Sequence, residues 1–196
     1  MIQCYITDRR ALRAGESLLA AVSRNLAAGP DWIQIREKDL PARELCELVT
    51  RALQCPNPRG VKIMVNSRVD VALTAGAAGA HLPAGSPPPQ FWRRLTPIGF
   101  RIGTSCHSVE EVRHAAQEGA DYVFFGPVFD PISKPSDRPA RGLEALSCAA
   151  MSVEIPVFAL GGITAGNMSA CISAGAAGVA GISLYQGGTQ PVRISP

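Results

Sequence analysis

Nowhere in this 196-residue chain do eighteen apolar residues follow one another without a charge, Gly or Pro, so no membrane span is expected. The opening MIQCYITDRR lacks a positive region followed by a long apolar stretch, which argues against a signal peptide. No two cysteines stand in C-x-x-C spacing. The six, at 4, 46, 55, 106, 148 and 171, lie singly among aliphatic residues, which disfavours a structural zinc site or a redox pair and predicts buried free thiols in a reducing, cytoplasmic setting. A basic run is also missing. Nineteen Lys plus Arg against sixteen Asp plus Glu leave only +3, too little to predict a nucleic-acid partner. No G-x-G-x-x-G follows the first apolar run, so a dinucleotide-binding fold loses its main support.

What is present reads as one globular domain over 1–196, with 46% hydrophobic and 18% charged residues. Short apolar runs alternate with helix-like stretches, and eight strands can be counted, near 4–6, 32–36, 61–65, 80–82, 101–105, 122–126, 157–160 and 178–182. Helices are expected over 17–28, 42–53, 68–73, 109–117, 142–151 and 165–173, with a variable segment up to Leu95. Runs such as VKIMV, DYVFF and PVFAL are apolar at successive positions, as expected when both faces of a strand are covered. LAAGPDWIQI, LTAGAAGAHL, AQEGADYVFF and ISAGAAGVAGI each place a Gly after a helix, predicting left-handed helix ends that lead directly into strands. The pattern favours a (β/α)₈ TIM barrel over a doubly wound sheet. The tail SLYQGGTQPVRISP has no helical apolar stripe, so the eighth outer helix is expected to be short or missing.

In such a barrel, chemistry belongs at the carboxyl ends of the strands. Strand two ends in QIREK, where Arg36 and Lys38, two apart in an extended segment, would point one way and place two cations over the mouth for phosphate or carboxylate; a solvated charge cluster is the plain alternative. Asn66 ends strand three as a helix cap or a substrate contact, and Asp70 reads as a helix N-terminal charge. His81 could equally be a packing residue. Strand five ends in GTSCHSVEE, with Ser105 at the mouth. His107 is the best single general acid/base candidate, while Ser108 and Glu111 read as a capping box. Cys106 beside His107 spells a nucleophile and base only if geometry allows it. The polar loop around Lys134 reads as a substrate cover, and Gly161 and Gly162 with Gly181 and Ser183 as a backbone phosphate cradle after strands seven and eight.

The phrases QIREKD (34–39), VNSRVDVAL (65–73), GTSCHSVEEV (103–112), GADYVFFGPVF (119–129) and FALGGITAGN (158–167) resemble, in order, those of the superfamily of thiamine-phosphate synthase and TenI. That resemblance implies a compact barrel handling a thiazole phosphate, and makes a homodimer plausible. A synthase of this family joins the thiazole phosphate to hydroxymethylpyrimidine pyrophosphate, with magnesium held by one Asp after strand three and another after strand four. Here Ser67 stands at the first position, and the loop after His81 reads LPAGSP without an acid. NSRVDVAL and LPAGSPPP are similar to TenI instead. The resemblance therefore points to a thiazole tautomerase needing no metal or other cofactor, with His107 moving the proton, Arg36 or Lys38 orienting a carboxylate, and Gly161, Gly162 and Gly181 holding phosphate. The alternatives are the magnesium-dependent synthase and a regulatory protein that binds thiazole or thiamine phosphates without turnover.

Overall fold

Successive apolar residues are what a strand needs when side chains on one face fill a barrel and those on the other meet an outer layer of helices. In the computed structural model, which describes residues 1–130 and 139–186, the eight strands do both. They are β1 (Ile2–Ile6), β2 (Trp32–Ile35), β3 (Lys62–Asn66), β4 (Gly79–Leu82), β5 (Arg101–Cys106), β6 (Tyr122–Phe125), β7 (Val157–Leu160) and β8 (Gly178–Gly181). All are parallel and pair in sequence order, and β8 returns to β1 with Ile2 opposite Gly178 and Tyr5 opposite Gly181. Closure leaves no sheet edge and rules out the doubly wound alternative.

Helices α1 (Leu18–Ala28), α2 (Ala42–Leu53), α3 (Val69–Ala75), α4 (Pro89–Arg93), α5 (Val109–Gln117), α6 (Gly142–Met151), α7 (Met168–Ser173) and α8 (Ser183–Gln186) follow β1 to β8 in turn. The variable segment thus contains a short helix, α4, opened by Pro88 and Pro89. Helix α7 begins three residues later than the periodicity predicts, because Thr164 N–H bonds to Asn167 Oδ1 and holds 164–167 as a turn. Of helix α8 the described residues include Ser183–Gln186. Its Tyr185 hydroxyl donates to Gln3 and its Gln186 amide to the Tyr5 hydroxyl and Asp8 carbonyl, tying it to β1. No helix among the described residues is long and apolar enough to cross a membrane.

Gly76, Gly119 and Gly175 end their helices at φ of 78°, 83° and 95°, as the sequence predicts. Gly29 does not: its φ is −109°, and it is needed for space, since a Cβ there would lie 2.5 Å from the Asn25 carbonyl oxygen. The free thiols also divide. Cys4, Cys106 and Cys171 are buried, whereas Cys46 and Cys55 are half-buried and Cys148 is exposed, so burial holds for only part of the set.

The barrel interior is filled by Cys4, Ile6, Trp32, Met64, Tyr122, Phe124, Phe158 and Ala180. Bulky rings fit because a neighbouring strand supplies no side chain opposite them: a Cβ on Gly103 would overlap the Tyr122 ring. Two further apolar clusters lie between strands and helices, one under α1 to α3 and one under α5 to α7. The interior aromatic layer forms a rigid floor beneath the strand ends.

Candidate functional site at the barrel mouth

Above that floor the inward positions turn polar, and the side chains are wired together. Gln34 Nε2 donates to Asn66 Oδ1 at 2.9 Å, and Asn66 Nδ2 donates to Ser67 Oγ at 2.7 Å. Asn66 therefore does not cap α3, whose N-cap, Arg68, makes no side-chain cap bond. Ser67 sits at φ 64°, a left-handed conformation unusual for serine, with its N–H donating to the His81 carbonyl at 2.8 Å. Asp70 pairs with Arg68, and that guanidinium holds its carboxyl below the usual range.

His81 is a packing residue and a polar one. Its ring stacks on Phe124 at 4.1 Å between centroids, with Nε2 2.9 Å from Ser105 Oγ. Burial, and after it the Arg36 charge, pushes its pKa down to about 3, so the imidazole is neutral.

His107 is held at two points. Its ring Nδ1 lies 2.6 Å from the Gly126 carbonyl oxygen and its N–H donates to Glu111 Oε2 at 2.6 Å. A carbonyl only accepts, so Nδ1 carries a proton and Nε2 is the remaining ring nitrogen. Ser108 caps α5 by accepting from Glu111 N–H at 3.1 Å, but the Glu111 carboxylate reaches back one residue further than a capping box would, to His107 itself. Cys106 faces the outer core, its thiol pushed up to about 12 by burial and by Glu111, and it forms no pair with His107.

The cationic loop differs from expectation. Strand β2 ends at Ile35, and a turn closed by Leu40 N–H on the Glu37 carbonyl carries Lys38 to an exposed position, so strand alternation does not align Lys38 with Arg36. Between them Glu37 is buried, accepting from Thr7 Oγ1 (2.7 Å), Arg9 N–H (3.3 Å) and Arg9 Nη1 (3.1 Å). Thr7 Oγ1 in turn accepts from Arg36 N–H at 2.9 Å. Arg9 and Arg10 both reach Asp39, whose carboxyl Arg9 holds down to about 2. Thr7, Arg9 and Glu37 thus anchor the loop that presents Arg36. Strand periodicity gives no sign of them; the signal available is a polar Thr directly after an apolar strand, beside an acid within a charged run.

Gly161 and Gly162, at φ 94° and 63°, pass so close to the chain after β6 that a Cβ on Gly161 would lie 2.6 Å from Pro127, and one on Gly162 2.6 Å from the Asp130 carbonyl. Among the described residues neither glycine N–H donates to a backbone carbonyl. Gly181 closes β8 and Ser183 opens α8 at the same end. Lys134 lies outside the described residues. Beside Ser105, a cavity of about 420 Å³ runs between the loop 83–90 and α5, and the Thr104 hydroxyl at its edge is buried without a partner among the described residues.

Magnesium fits poorly here. Among the described residues no three His, Cys, Asp or Glu side chains gather as ligands, the Ser67 hydroxyl is occupied by Asn66, and 83–86 carry no carboxylate.

Residues 3–184 match the family model described as thiamine monophosphate synthase. A thiamine-phosphate synthase of Methanoculleus marisnigri is 45% identical over 183 residues, covering 93% of this chain and 87% of the relative. That of Roseiflexus castenholzii is 42% identical, covering 95% and 81%. The structure of a thiamine phosphate pyrophosphorylase from Pyrococcus furiosus superposes with a TM-score of 0.85 at 34% identity, covering 97% of this chain and 89% of that one. These relatives overturn the tautomerase expectation: whole-chain identity runs to proteins named as synthases, whereas the tautomerase branch rests on two short loop segments.

Proposed function

Because this chain belongs to the thiamine monophosphate synthase family, a family of enzymes, we propose that it is a transferase joining a thiazole phosphate to hydroxymethylpyrimidine pyrophosphate. The observation that carries the reading is identity of 42 to 45% to thiamine-phosphate synthases over 93 to 95% of the chain. The mouth is chemically suited to it. In the coupling, the bond from the pyrimidine methylene carbon to pyrophosphate oxygen breaks, the leaving group takes both electrons, and the thiazole nitrogen forms the new C–N bond. Charge grows on the departing pyrophosphate, so cations and N–H donors fixed in advance lower the barrier.

Arg36, held by the Thr7 and Glu37 anchor, supplies such a cation, and the exposed Lys38 adds a second at the rim. The Gly161 and Gly162 amides suit the phosphate of the thiazole partner, with Gly181 and Ser183 beside them. Asn66 and Ser105 offer directional hydrogen bonds to the reacting pair. No proton shift is required of His107; its ring, fixed by the Gly126 carbonyl, shapes the mouth next to β6. The residues at 67 and 83–86 do not supply the carboxylates a protein-held magnesium ion needs, so the chain's own cations and amides are the groups assigned here.

Purified protein given both substrates, with phosphate products resolved chromatographically, should form thiamine phosphate and pyrophosphate in equal amounts. Binding of thiamine phosphate without any turnover would overturn the transferase in favour of a binding protein.

A further inference from the structure

Three side chains form a file from the barrel interior to its mouth. The Tyr122 hydroxyl lies 3.3 Å from His81 Nδ1, and His81 Nε2 lies 2.9 Å from Ser105 Oγ. Tyr122 and His81 are each 1% exposed. Tyr122 is boxed by rings, with Trp32 at 4.9 Å, Phe124 at 5.4 Å and Phe158 at 5.6 Å between centroids.

A neutral imidazole has one N–H, so the file can be protonated in two ways. If Nδ1 holds the proton, it donates to the Tyr122 oxygen and Ser105 donates to Nε2. The Tyr122 proton then has no acceptor among the described residues, a buried donor stripped of water. If Nε2 holds it, Tyr122 donates to Nδ1 and Nε2–H donates to Ser105 Oγ, and every buried proton in the file has an acceptor. The second arrangement wins. It leaves one proton unspent, that of Ser105, at the half-buried mouth end.

We propose that Tyr122 and His81 are positioning residues that hold the Ser105 hydroxyl as a hydrogen-bond donor to a phosphate oxygen of the bound pyrophosphate group. The transferase reading supplies the ligand; the proton arrangement stands apart from it. Because His81 stays neutral well below physiological pH, the donor state does not change across the working range. The stack on Phe124 and the tight fit of Tyr122 over Gly103 keep the file in register.

The test combines nitrogen-15 NMR of histidine-labelled protein with calorimetry using inorganic pyrophosphate. The expected spectrum shows His81 as the Nε2–H tautomer at neutral pH; the Nδ1–H tautomer overturns the proposal. Ser105→Ala should weaken pyrophosphate binding about tenfold and Tyr122→Phe about fivefold, while Tyr122→Phe in the Ser105→Ala background should change nothing further. Independent, multiplicative effects would show that Tyr122 does not act through Ser105 and sink the positioning role. Should Tyr122→Phe fail to fold, the wild-type tautomer together with Ser105→Ala still decides. Wild-type protein that shows the Nε2–H tautomer but takes up no pyrophosphate would overturn the ligand named here and leave the donor arrangement standing, while the transferase reading stands or falls separately on turnover of the two substrates.

Discussion

Replacing Glu37 by Ala probes the link between the fold and the cationic mouth. The carboxylate is 3% exposed and accepts from Thr7 Oγ1 and from the N–H and Nη1 of Arg9. Without it the fully buried Thr7 hydroxyl loses its acceptor, at a cost of roughly 1–3 kcal/mol. Arg9 keeps Asp39 and is one-third exposed, so its loss adds at most about 1 kcal/mol. The total is about 1–4 kcal/mol, which for a domain of this size lowers Tm by roughly 2–16 °C. Glu37→Gln keeps one acceptor for Thr7 and should cost about 1 kcal/mol. The functional effect follows from Thr7 Oγ1, which also accepts from Arg36 N–H. About 1.4 kcal/mol of lost preference for the anchored loop raises the apparent Kd for a pyrophosphate ligand tenfold. Thermal unfolding and pyrophosphate calorimetry on wild type, Glu37→Gln and Glu37→Ala should therefore give a graded series in both readouts. Alanine protein that melts with the wild type, or melts early but binds pyrophosphate normally, refutes the anchor.

Other consequences can be measured separately. Gly103→Ala drives a methyl into the Tyr122 ring and should cost about 1–3 kcal/mol in chemical denaturation, recovered in part by Tyr122→Leu; an equal loss in both backgrounds rules out the clash as its cause. His81, with its pKa pushed down to about 3, binds fewer protons folded than unfolded, so its contribution is complete above its unfolded pKa near 6.5 and falls away as pH drops toward 3. Between pH 6.5 and 5 that amounts to about 2 kcal/mol, and His81→Gln should flatten this limb of the stability curve; an unchanged limb would mean that His81 is not held neutral. Arg36→Ala should raise KM for the pyrimidine pyrophosphate about tenfold or more, with Arg36→Lys intermediate, and equal KM in all three would remove Arg36 from the site. Thiamine phosphate binding should stay within about twofold when a chelator is added, because the groups available to its phosphate are amides and cations; a larger loss would reveal a metal contribution to the ground state.

Most of the barrel is legible in the sequence because runs such as VKIMV, DYVFF and PVFAL stay apolar at successive positions, as strands covered on both faces do, and because Gly76, Gly119 and Gly175 need the left-handed region. Helix α4 is hidden by its five-residue length and its prolines, and Gly29 by a use of glycine for space that composition does not separate from turning. At the mouth, Arg36, His107 and the Gly161–Gly162 pair follow from strand-end position alone. Glu37 does not, since a run such as REKD reads as solvated until the turn at Lys38 shows one member tucked beneath the loop. Tyr122 is invisible for a related reason: in DYVFF it counts as apolar, and only the barrel's curvature brings its hydroxyl to His81 from two strands away.

The branch assignment fails for an instructive reason. Two absent carboxylates describe how a cation would be held, not which bond an enzyme makes, and the groups proposed here for phosphate and pyrophosphate are backbone amides, a guanidinium and hydroxyls, which leave little local pattern. Ser67 shows the difference. Its hydroxyl accepts from Asn66 and its N–H is spent on the His81 carbonyl, so the position is integrated into the polar net across β2, β3 and β4 rather than left as a gap. In the proposed synthase, a neutral residue at this position lowers the negative charge near the pyrophosphate, and Arg36 would then meet less competition for the leaving group. The substitution that argues against a synthase when read as a lost ligand is compatible with one when read as part of the charge balance of the whole mouth.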